Sequence, residues 1–259
     1  MKDLSPTFLD HVRQFTVGFA RPDAVPSAAL GTGVLVKTSD YMAILTCAHV
    51  IKLLESVGEV GLVNFTRGMV GQAAMLDVRA TPFITWGTKP WDGPDIGLIL
   101  VPPERAGGLE ARFTALNVKR NFEKYREPEP SAPCADAVFG LVEEYSGTPM
   151  PEGGGVVSTR LTGVLTPGRV VAKDEGTTTI ECLQRNIRDL PSSFGGTSGG
   201  GLWRLYVRNP EDERPEIVEF RLRGIASQED LSTTPPRIVC QSLQRIAGII
   251  TEGARRFPN

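Results

Sequence analysis

Short apolar segments alternate with polar, glycine-rich and proline-rich stretches along most of this 259-residue chain. The segments are rich in valine, isoleucine, leucine and threonine, which favour β-strands. The ten clearest are FTVGFA, GTGVLVK, MAILTCA, VGLVNF, IGLILV, DAVFGLV, GVLTPGRVVA, TTTIECL, GLWRLYV and IVEFRLRGIAS. Turn-forming residues are plentiful between them, with 28 glycines and 20 prolines. The pattern predicts an all-β fold of barrels or sandwiches and disfavours a parallel sheet covered by helices.

Two segments instead show the periodicity of an amphipathic helix. Residues 50–57 (VIKLLESV) predict a short helix. Residues 242–254 (SLQRIAGIITEGA) place Leu243, Ile246, Ile249 and Ile250 on one face. We expect this second segment to form a C-terminal helix that docks on the core.

A polar, proline-rich segment, KRNFEKYREPEPSAP, occupies residues 119–133. About five strand candidates lie on each side of it. The sequence therefore predicts an N-terminal β-unit over residues 1–118, a connector over 119–133 and a C-terminal β-unit over 134–259.

Charge and composition restrict the possible partners. The 28 lysines and arginines against 30 aspartates and glutamates leave a net charge of -2, and the basic residues form no single run. We therefore expect no nucleic-acid partner. No apolar run approaches the roughly 18 residues that cross a bilayer, and the first residues lack the apolar stretch of a secretory signal. These features predict a cytoplasmic protein without a membrane partner.

The four cysteines, Cys47, Cys134, Cys182 and Cys240, are widely spaced and include no C-x-x-C pair. This spacing is unlike that of a zinc site, so we expect neither a metal nor another cofactor. Disulfide pairing is arithmetically possible, but mostly buried free thiols are the simpler expectation in a reducing compartment.

One segment with chemical potential is GGTSGGG, residues 195–201, which surrounds Ser198 with glycines. Glycine before the serine allows the N–H groups of Gly196 and Ser198 to converge on a developing oxyanion. Glycine after it lets a substrate chain pass closely. Taken by itself, the segment fits a glycine-rich hairpin with an incidental serine equally well.

Two further segments supply partners for this serine. His49 lies in the run TCAHV at a predicted junction between a strand and a helix, whereas His11 lies among polar residues and is expected to be structural or exposed. Asp95 directly precedes the strand IGLILV, which would carry it inward, and a buried aspartate needs a partner such as an imidazole N–H. Asp92, three residues earlier, is the competing aspartate and is expected to be solvent-exposed.

In the order His49, Asp95, Ser198, the three segments resemble those of trypsin-like serine proteases of the chymotrypsin fold. TCAHV stands where that family has T-A-A-H, PDIGLILV where it has D-I-A-L-L, and GGTSGGG where it has G-D-S-G-G. The resemblance covers about residues 15–250. It implies two six-stranded antiparallel β-barrels with a C-terminal α-helix and a site in the cleft between the barrels.

The resemblance also implies a serine endopeptidase that hydrolyses protein or peptide substrates through an acyl-enzyme on Ser198. His49 would act as general base and then general acid, and Asp95 would orient it. The amides of Gly196 and Ser198 would form the oxyanion hole. No cofactor is implied.

Substrate-binding positions follow from the same resemblance. Ser192 would lie at the base of the primary pocket, Thr234 would narrow that pocket, and a strand would pair with the substrate backbone through Ser227, Gln228 and Glu229. Acidic residues near the pocket, Glu229, Asp230 and Asp189, favour a basic substrate side chain if they face it. Loop acids are more often solvated, and a small or apolar preference fits equally well.

The chain departs from the secreted members of this family in several places. Thr197 replaces the acidic residue that pairs with a newly cut N-terminus in trypsin-like zymogens, and no Arg-Ile-Val-Gly-Gly start is present. Val50 follows His49 where many secreted members have a disulfide cysteine. The pattern is closer to non-zymogen bacterial branches, such as HtrA-type or glutamyl-endopeptidase-like proteases.

Three alternatives stay open at this point. One is a catalytically silent module that acts by protein binding. Another is a protease that stays inactive until a regulatory protein partner or a ligand orders residues 195–200. The third is a different hydrolase that uses the same acyl chemistry.

Overall fold

The structure, a computed structural model, describes residues 5–21, 29–65, 71–87, 93–147, 150–153, 156–158, 161–183, 191–208 and 216–257. The strands are β1 (Thr16–Ala20), β2 (Ala29–Lys37), β3 (Met42–Thr46), β4 (Glu59–Asn64), β5 (Gly71–Asp77), β6 (Phe83–Trp86), β7 (Ile96–Val101), β8 (Leu116–Asn117), β9 (Cys134–Leu141), β10 (Met150–Gly153), β11 (Val156–Ser158), β12 (Gly163–Asp174), β13 (Thr177–Cys182), β14 (Gly201–Arg208), β15 (Glu216–Asp230) and β16 (Arg237–Ser242). The α-helices are α1 (Ser5–Val12), α2 (Ala48–Val57), α3 (Pro103–Glu110), α4 (Val118–Lys124) and α5 (Leu243–Arg256). Short 3₁₀ helices span Arg13–Phe15 and Glu143–Tyr145.

The N-terminal half folds into one sheet with the strand order β5-β4-β1-β2-β3-β7-β6. Neighbouring strands on this path are antiparallel, and β8 adds a short parallel pairing to β2. Every residue of β3 and β7 is buried, so these strands are covered on both faces. Helices α2 and α5 both pack against β7 and supply part of this cover.

The C-terminal half forms a closed antiparallel barrel with the strand order β12-β13-β16-β15-β14-β9. Because the barrel is closed, each strand has a hydrogen-bonded neighbour on both sides along its paired part. The two halves share one core, because Trp203 of β14 is fully buried and stacks on Phe15 with ring centroids 5.5 Å apart. This shared core fixes the orientation of the two sheets around the cleft between them.

The structure confirms the all-β prediction, with two barrel-like sheets and a C-terminal helix. All ten apolar segments form strands, and the two predicted helices are α2 and α5. The second barrel contains the six strands expected, whereas the first sheet orders seven strands on its path and adds β8. The extra strands are short or mixed in polarity, so their alternation is too weak to stand out in the sequence.

Helices α1, α3 and α4 were not predicted. Helix α4 occupies the start of the segment expected to be a connector, where the side chain of Asn117 accepts a hydrogen bond of 2.9 Å from the backbone N–H of Arg120. Such an N-cap stabilises a helix that is too short to show clear periodicity.

Among the described residues, no helix is both long enough and apolar enough to cross a bilayer. All four cysteines are free thiols. Cys134 is exposed, whereas Cys47, Cys182 and Cys240 are buried.

Candidate active site

His49 and Asp95 meet because β3 and β7 are antiparallel neighbours. Strand β3 ends at Thr46, which pairs with Gly97 at the start of β7, so the residues just beyond these ends lie side by side. The His49 Nδ1 is 2.6 Å from Asp95 Oδ2, and the His49 backbone N–H donates a 3.0 Å hydrogen bond to Asp95 Oδ1. Both carboxylate oxygens thus hold one residue, at the N-terminus of α2, where negative charge is favoured.

Asp95 is fully buried, whereas the His49 side chain keeps 30% of its surface exposed. A buried carboxylate beside an imidazole fixes the ring with its N–H toward the carboxylate. It also stabilises positive charge on that ring. The outer nitrogen of His49 is then left to exchange protons in the cleft.

The C-terminal half holds Asp95 in place through Gln241. The Asp95 backbone N–H donates to Gln241 Oε1 at 3.1 Å, and Arg245 donates to the same oxygen at 2.6 Å. The Gln241 amide in turn donates to Ser227 Oγ at 3.0 Å. Sequence reasoning missed Gln241 and Arg245; a polar residue inside the apolar run RIVCQS was the available signal.

Two peptide groups around Ser198 are fixed in orientation. The Glu143 N–H donates to Gly195 O at 2.8 Å, and the Gly200 N–H donates to Thr197 O at 2.8 Å. In a trans peptide the C=O and N–H point in opposite directions, so the N–H groups of Gly196 and Ser198 point away from these two anchors. Within the described part of the chain, neither amide has an acceptor. Amides without an acceptor are able to donate to a bound oxyanion.

Glycine is required on both sides of Ser198. Gly196 and Gly199 have φ values of 88° and 89°, in the left-handed region. A Cβ at Gly199 would lie 1.8 Å from the carbonyl oxygen of Thr32. Thr197, between the glycines, is buried, and its hydroxyl donates to Leu141 O at 2.9 Å. Position 197 therefore anchors the loop through a neutral hydrogen bond.

Thr32 of β2 connects this loop to the N-terminal sheet. Its hydroxyl donates to Gly196 O at 2.7 Å and accepts from the Leu141 N–H at 2.9 Å. Its backbone N–H donates to Ser198 O at 2.9 Å. The glycines that flank Thr32 were the only sequence signal for this role, and they are a weak one.

A cavity of about 200 Å³ brings the expected residues together. His49 and Ser198 both line it, and its remaining lining is Phe194, Gly195, Thr197, Ala226, Ser227, Gln228, Glu229 and Ile238. No hydrogen bond joins the His49 ring to the Ser198 hydroxyl in the described ranges. Such bonds are often long in a free enzyme and tighten when substrate binds.

The expected substrate-binding residues divide into two groups. Ser227, Gln228 and Glu229 line the cavity, whereas Ser192 and Thr234 do not. Ser192 is exposed, and its N–H and hydroxyl both donate to Glu144 at 2.7 Å.

The remaining expectations concern five further residues. Thr234 is exposed in the turn before β16, and Asp230 accepts hydrogen bonds from Ser232 in that turn. Asp92 and Asp189 lie outside the described residues. His11 lies in α1 with its Nδ1 3.1 Å from Thr7 O, as expected for a structural histidine.

Cys47 lies close to both His49 and Asp95. Its sulfur and the ligand atoms of His49 and Asp95 lie within 4.8 Å of one another, which is close enough for a shared metal ion. The thiol is fully buried and donates to Ala226 O at 3.0 Å. Burial, followed by the nearby Asp95 charge, raises the pKa of Cys47 well above its usual value. Since a thiolate is the metal ligand and the nucleophile, Cys47 is poorly suited to either role.

No protein-family model matches this chain, and no curated protein is similar to it in sequence. Similar solved structures include the Rv3671c protease from M. tuberculosis. Its active form is 14% identical with a TM-score of 0.45, over 95% of this chain and 83% of that chain. Its inactive form is 14% identical with a TM-score of 0.44, over 96% of this chain and 93% of that one. Catalytically active tobacco etch virus protease complexed with product is 11% identical with a TM-score of 0.42, over 94% and 76%. Likenesses at this level concern the fold, so the function depends on the residues of the cleft.

Proposed function

We propose that this protein is a serine endopeptidase with His49, Asp95 and Ser198 as its catalytic residues. The observation that carries this proposal is the fully buried Asp95, which holds His49 through both oxygens beside a cavity that Ser198 also lines. A buried carboxylate that orients a half-exposed imidazole in a cavity shared with a serine is suited to activating that serine.

Acylation would begin when His49 Nε2 takes the Ser198 hydroxyl proton as Oγ attacks the substrate carbonyl carbon. The carbonyl electron pair moves to its oxygen, which the N–H groups of Gly196 and Ser198 stabilise. The tetrahedral intermediate then collapses, and His49 passes its proton to the leaving amine. The product is an ester between Ser198 and the acyl half of the substrate.

Deacylation repeats these steps with water. His49 Nε2 removes a proton from water, the resulting hydroxide attacks the ester, and the proton returns to Ser198 as the carboxylic acid leaves. Asp95 keeps its charge throughout and stabilises the imidazolium of His49. Removal of one oxyanion donor in such a site typically lowers kcat by roughly 100-fold to 1000-fold.

An extended peptide can bind along β15. Among the described residues, strand β15 pairs with β14 only as far as Ile225, whereas on its other side it pairs with β16 from Gly224 to Asp230. Ser227 has no partner in this register. The free edge lies beside Ser198, so a substrate backbone can add to it as an extra strand.

Reaction with a fluorophosphonate probe tests the proposed function. The wild type should be labelled at Ser198, and Ser198→Ala and His49→Ala should lose the label. Ser56→Ala, which removes an exposed hydroxyl on α2, is the matched control and should be labelled normally.

The absence of labelling in a well-folded wild type would contradict a self-sufficient triad. The missing His49–Ser198 hydrogen bond makes a partner-activated protease the second candidate. Labelling that appears only after a regulatory protein is added would support that candidate.

A further inference from the structure

The carboxylates of Glu229 and Glu144 hold the turn at residues 192–194, which precedes the loop around Ser198. Glu229 Oε1 accepts a 3.0 Å hydrogen bond from Ser193 Oγ, and Glu229 Oε2 accepts the backbone N–H of Phe194. From the other side, Glu144 Oε2 accepts the Ser192 N–H at 2.7 Å and the Ser193 N–H at 3.2 Å. Hydrogen bonds to ionised carboxylates are stronger than neutral ones, so this turn is firmly anchored.

The anchored turn sets the direction of the next peptide groups. Ser193 Oγ, which donates to Glu229, also accepts the Gly195 N–H at 3.1 Å. The carbonyl of Gly195 accepts the Glu143 N–H at 2.8 Å, and Gly196 follows with its N–H pointing the opposite way. Hydrogen bonds therefore link the Glu229 carboxylate to Gly195, and the carbonyl of Gly195 belongs to the same peptide group as the Gly196 N–H.

Glu229 also lines the cavity beside Ser198, where a negative charge suggests a partner for a basic substrate side chain. Its hydrogen bonds favour another role, because each of its oxygens already accepts a donor from the turn. The remaining wall of the cavity includes the apolar side chains of Phe194, Ala226 and Ile238. The cavity is thus better matched to an uncharged side chain.

We propose that Glu229 is a positioning residue, which holds the turn at Ser193 and Phe194 and thereby aims the Gly196 N–H at the reacting carbonyl. It acts on the reaction through this loop and does not select basic substrates. The proposal rests on the proposed function, since it assigns Glu229 a part in the oxyanion hole of the same site.

Steady-state kinetics of Glu229→Gln distinguish positioning from specificity. Peptide substrates with leucine or lysine before the scissile bond would be compared for the wild type and the variant. We expect kcat to fall about 10-fold to 100-fold for both peptides, with KM within about twofold, because a poorly aimed donor weakens transition-state binding selectively. A loss confined to KM of the lysine peptide, or an unchanged kcat, would overturn the proposal.

Two further variants control for general effects. Glu181→Gln removes a carboxylate on β13 outside the cavity and should leave kcat unchanged. Ser193→Ala preserves the charge of Glu229 but breaks its link to the Gly195 N–H, and it should lower kcat in the same way. This second variant decides the question if Glu229→Gln fails to fold.

Amide hydrogen exchange provides a readout that does not need catalysis. Exchange in a peptide covering residues 193–198 should be faster in Glu229→Gln than in the wild type and unaffected in Glu181→Gln. Unchanged exchange overturns the positioning role, whatever the kinetics. If the wild type does not react with the fluorophosphonate, the proposed function fails, but faster exchange in Glu229→Gln still supports the loop-holding role.

Discussion

Thr32 and Gly196 are 164 positions apart in the chain, yet the Thr32 hydroxyl donates a 2.7 Å hydrogen bond to the Gly196 carbonyl. Thr32 belongs to the N-terminal sheet and Gly196 to the loop that carries Ser198 in the C-terminal half. The same hydroxyl accepts the Leu141 N–H, so one small side chain satisfies two backbone groups of the opposite half. The loop that carries Ser198 is therefore anchored by the sheet that also supplies His49.

Thr32→Val removes this hydroxyl with little change of shape. The Gly196 carbonyl and the Leu141 N–H lose their partner, so we expect the free energy of unfolding to fall by about 1–3 kcal/mol and kcat to fall as well. Denaturant unfolding and substrate hydrolysis measure the two effects. Thr16→Val is the matched control, because among the described residues the buried Thr16 hydroxyl bonds only Val12 O, away from the cleft. Equal kcat values for the two variants would contradict a role of Thr32 in the site.

Gly199→Ala is expected to abolish labelling of Ser198. The residue has a φ of 89°, and the added Cβ would meet the Thr32 carbonyl at 1.8 Å, so the loop must move. Gly107→Ala is the control, since a Cβ there meets nothing within 4 Å and alanine favours helix α3. Fluorophosphonate labelling and thermal unfolding would be compared. Normal labelling of Gly199→Ala would show that the loop geometry around Ser198 is not needed.

Asp95→Asn should lower kcat by roughly 10,000-fold while the protein stays folded. The amide group offers one acceptor in place of two, but both the His49 ring N–H and the His49 backbone N–H need an acceptor. Asp77→Asn, at an exposed position at the end of β5, should retain full activity. A loss of activity of less than about tenfold in Asp95→Asn would be inconsistent with the orienting role.

Native alkylation should modify Cys134 and spare the other three cysteines. Burial raises the pKa of Cys182 to about 12 and raises the pKa values of Cys47 and Cys240 strongly, so few thiolates form at pH 8. Mass spectrometry after iodoacetamide treatment, with and without denaturant, measures this protection. Rapid modification of Cys47 in the folded protein would reopen its role as a nucleophile.

The Glu144 carboxyl should titrate at a lower pH than an ordinary glutamate. Its hydrogen bond from the Ser192 side chain, followed by those from backbone N–H groups, lowers its pKa below 4.5. Because the folded-state pKa is depressed, the anchoring of the turn is fully present above about pH 4.5 and is lost as the pH falls through the depressed value. NMR titration measures the midpoint, and Ser192→Ala should move it upward. A wild-type midpoint at or above that of Ser192→Ala would refute this anchoring.

The local pattern of the sequence determined much of the fold. Apolar runs such as MAILTCA and IGLILV form β3 and β7. They could be predicted because a buried strand is apolar in its own sequence. The same segments placed His49 and Asp95 at the ends of strands, and the glycines around Ser198 marked a loop that other residues cannot form. These features depend on neighbours within a few positions.

Only the tertiary structure decided which distant side chains meet. It brought Gln241 to Asp95, Thr32 to Gly196 and Glu229 to the turn at Ser193. It also joined Ser192 to Glu144, and Ser192 does not line the cavity where the resemblance placed it. Each contact joins two residues that are far apart in the sequence, and no periodic pattern of residues indicates that they meet. Contacts of this kind depend on how the two sheets pack around one core. The hydrophobic pattern of the sequence indicates that such a core exists, but it does not specify which polar groups face each other across it.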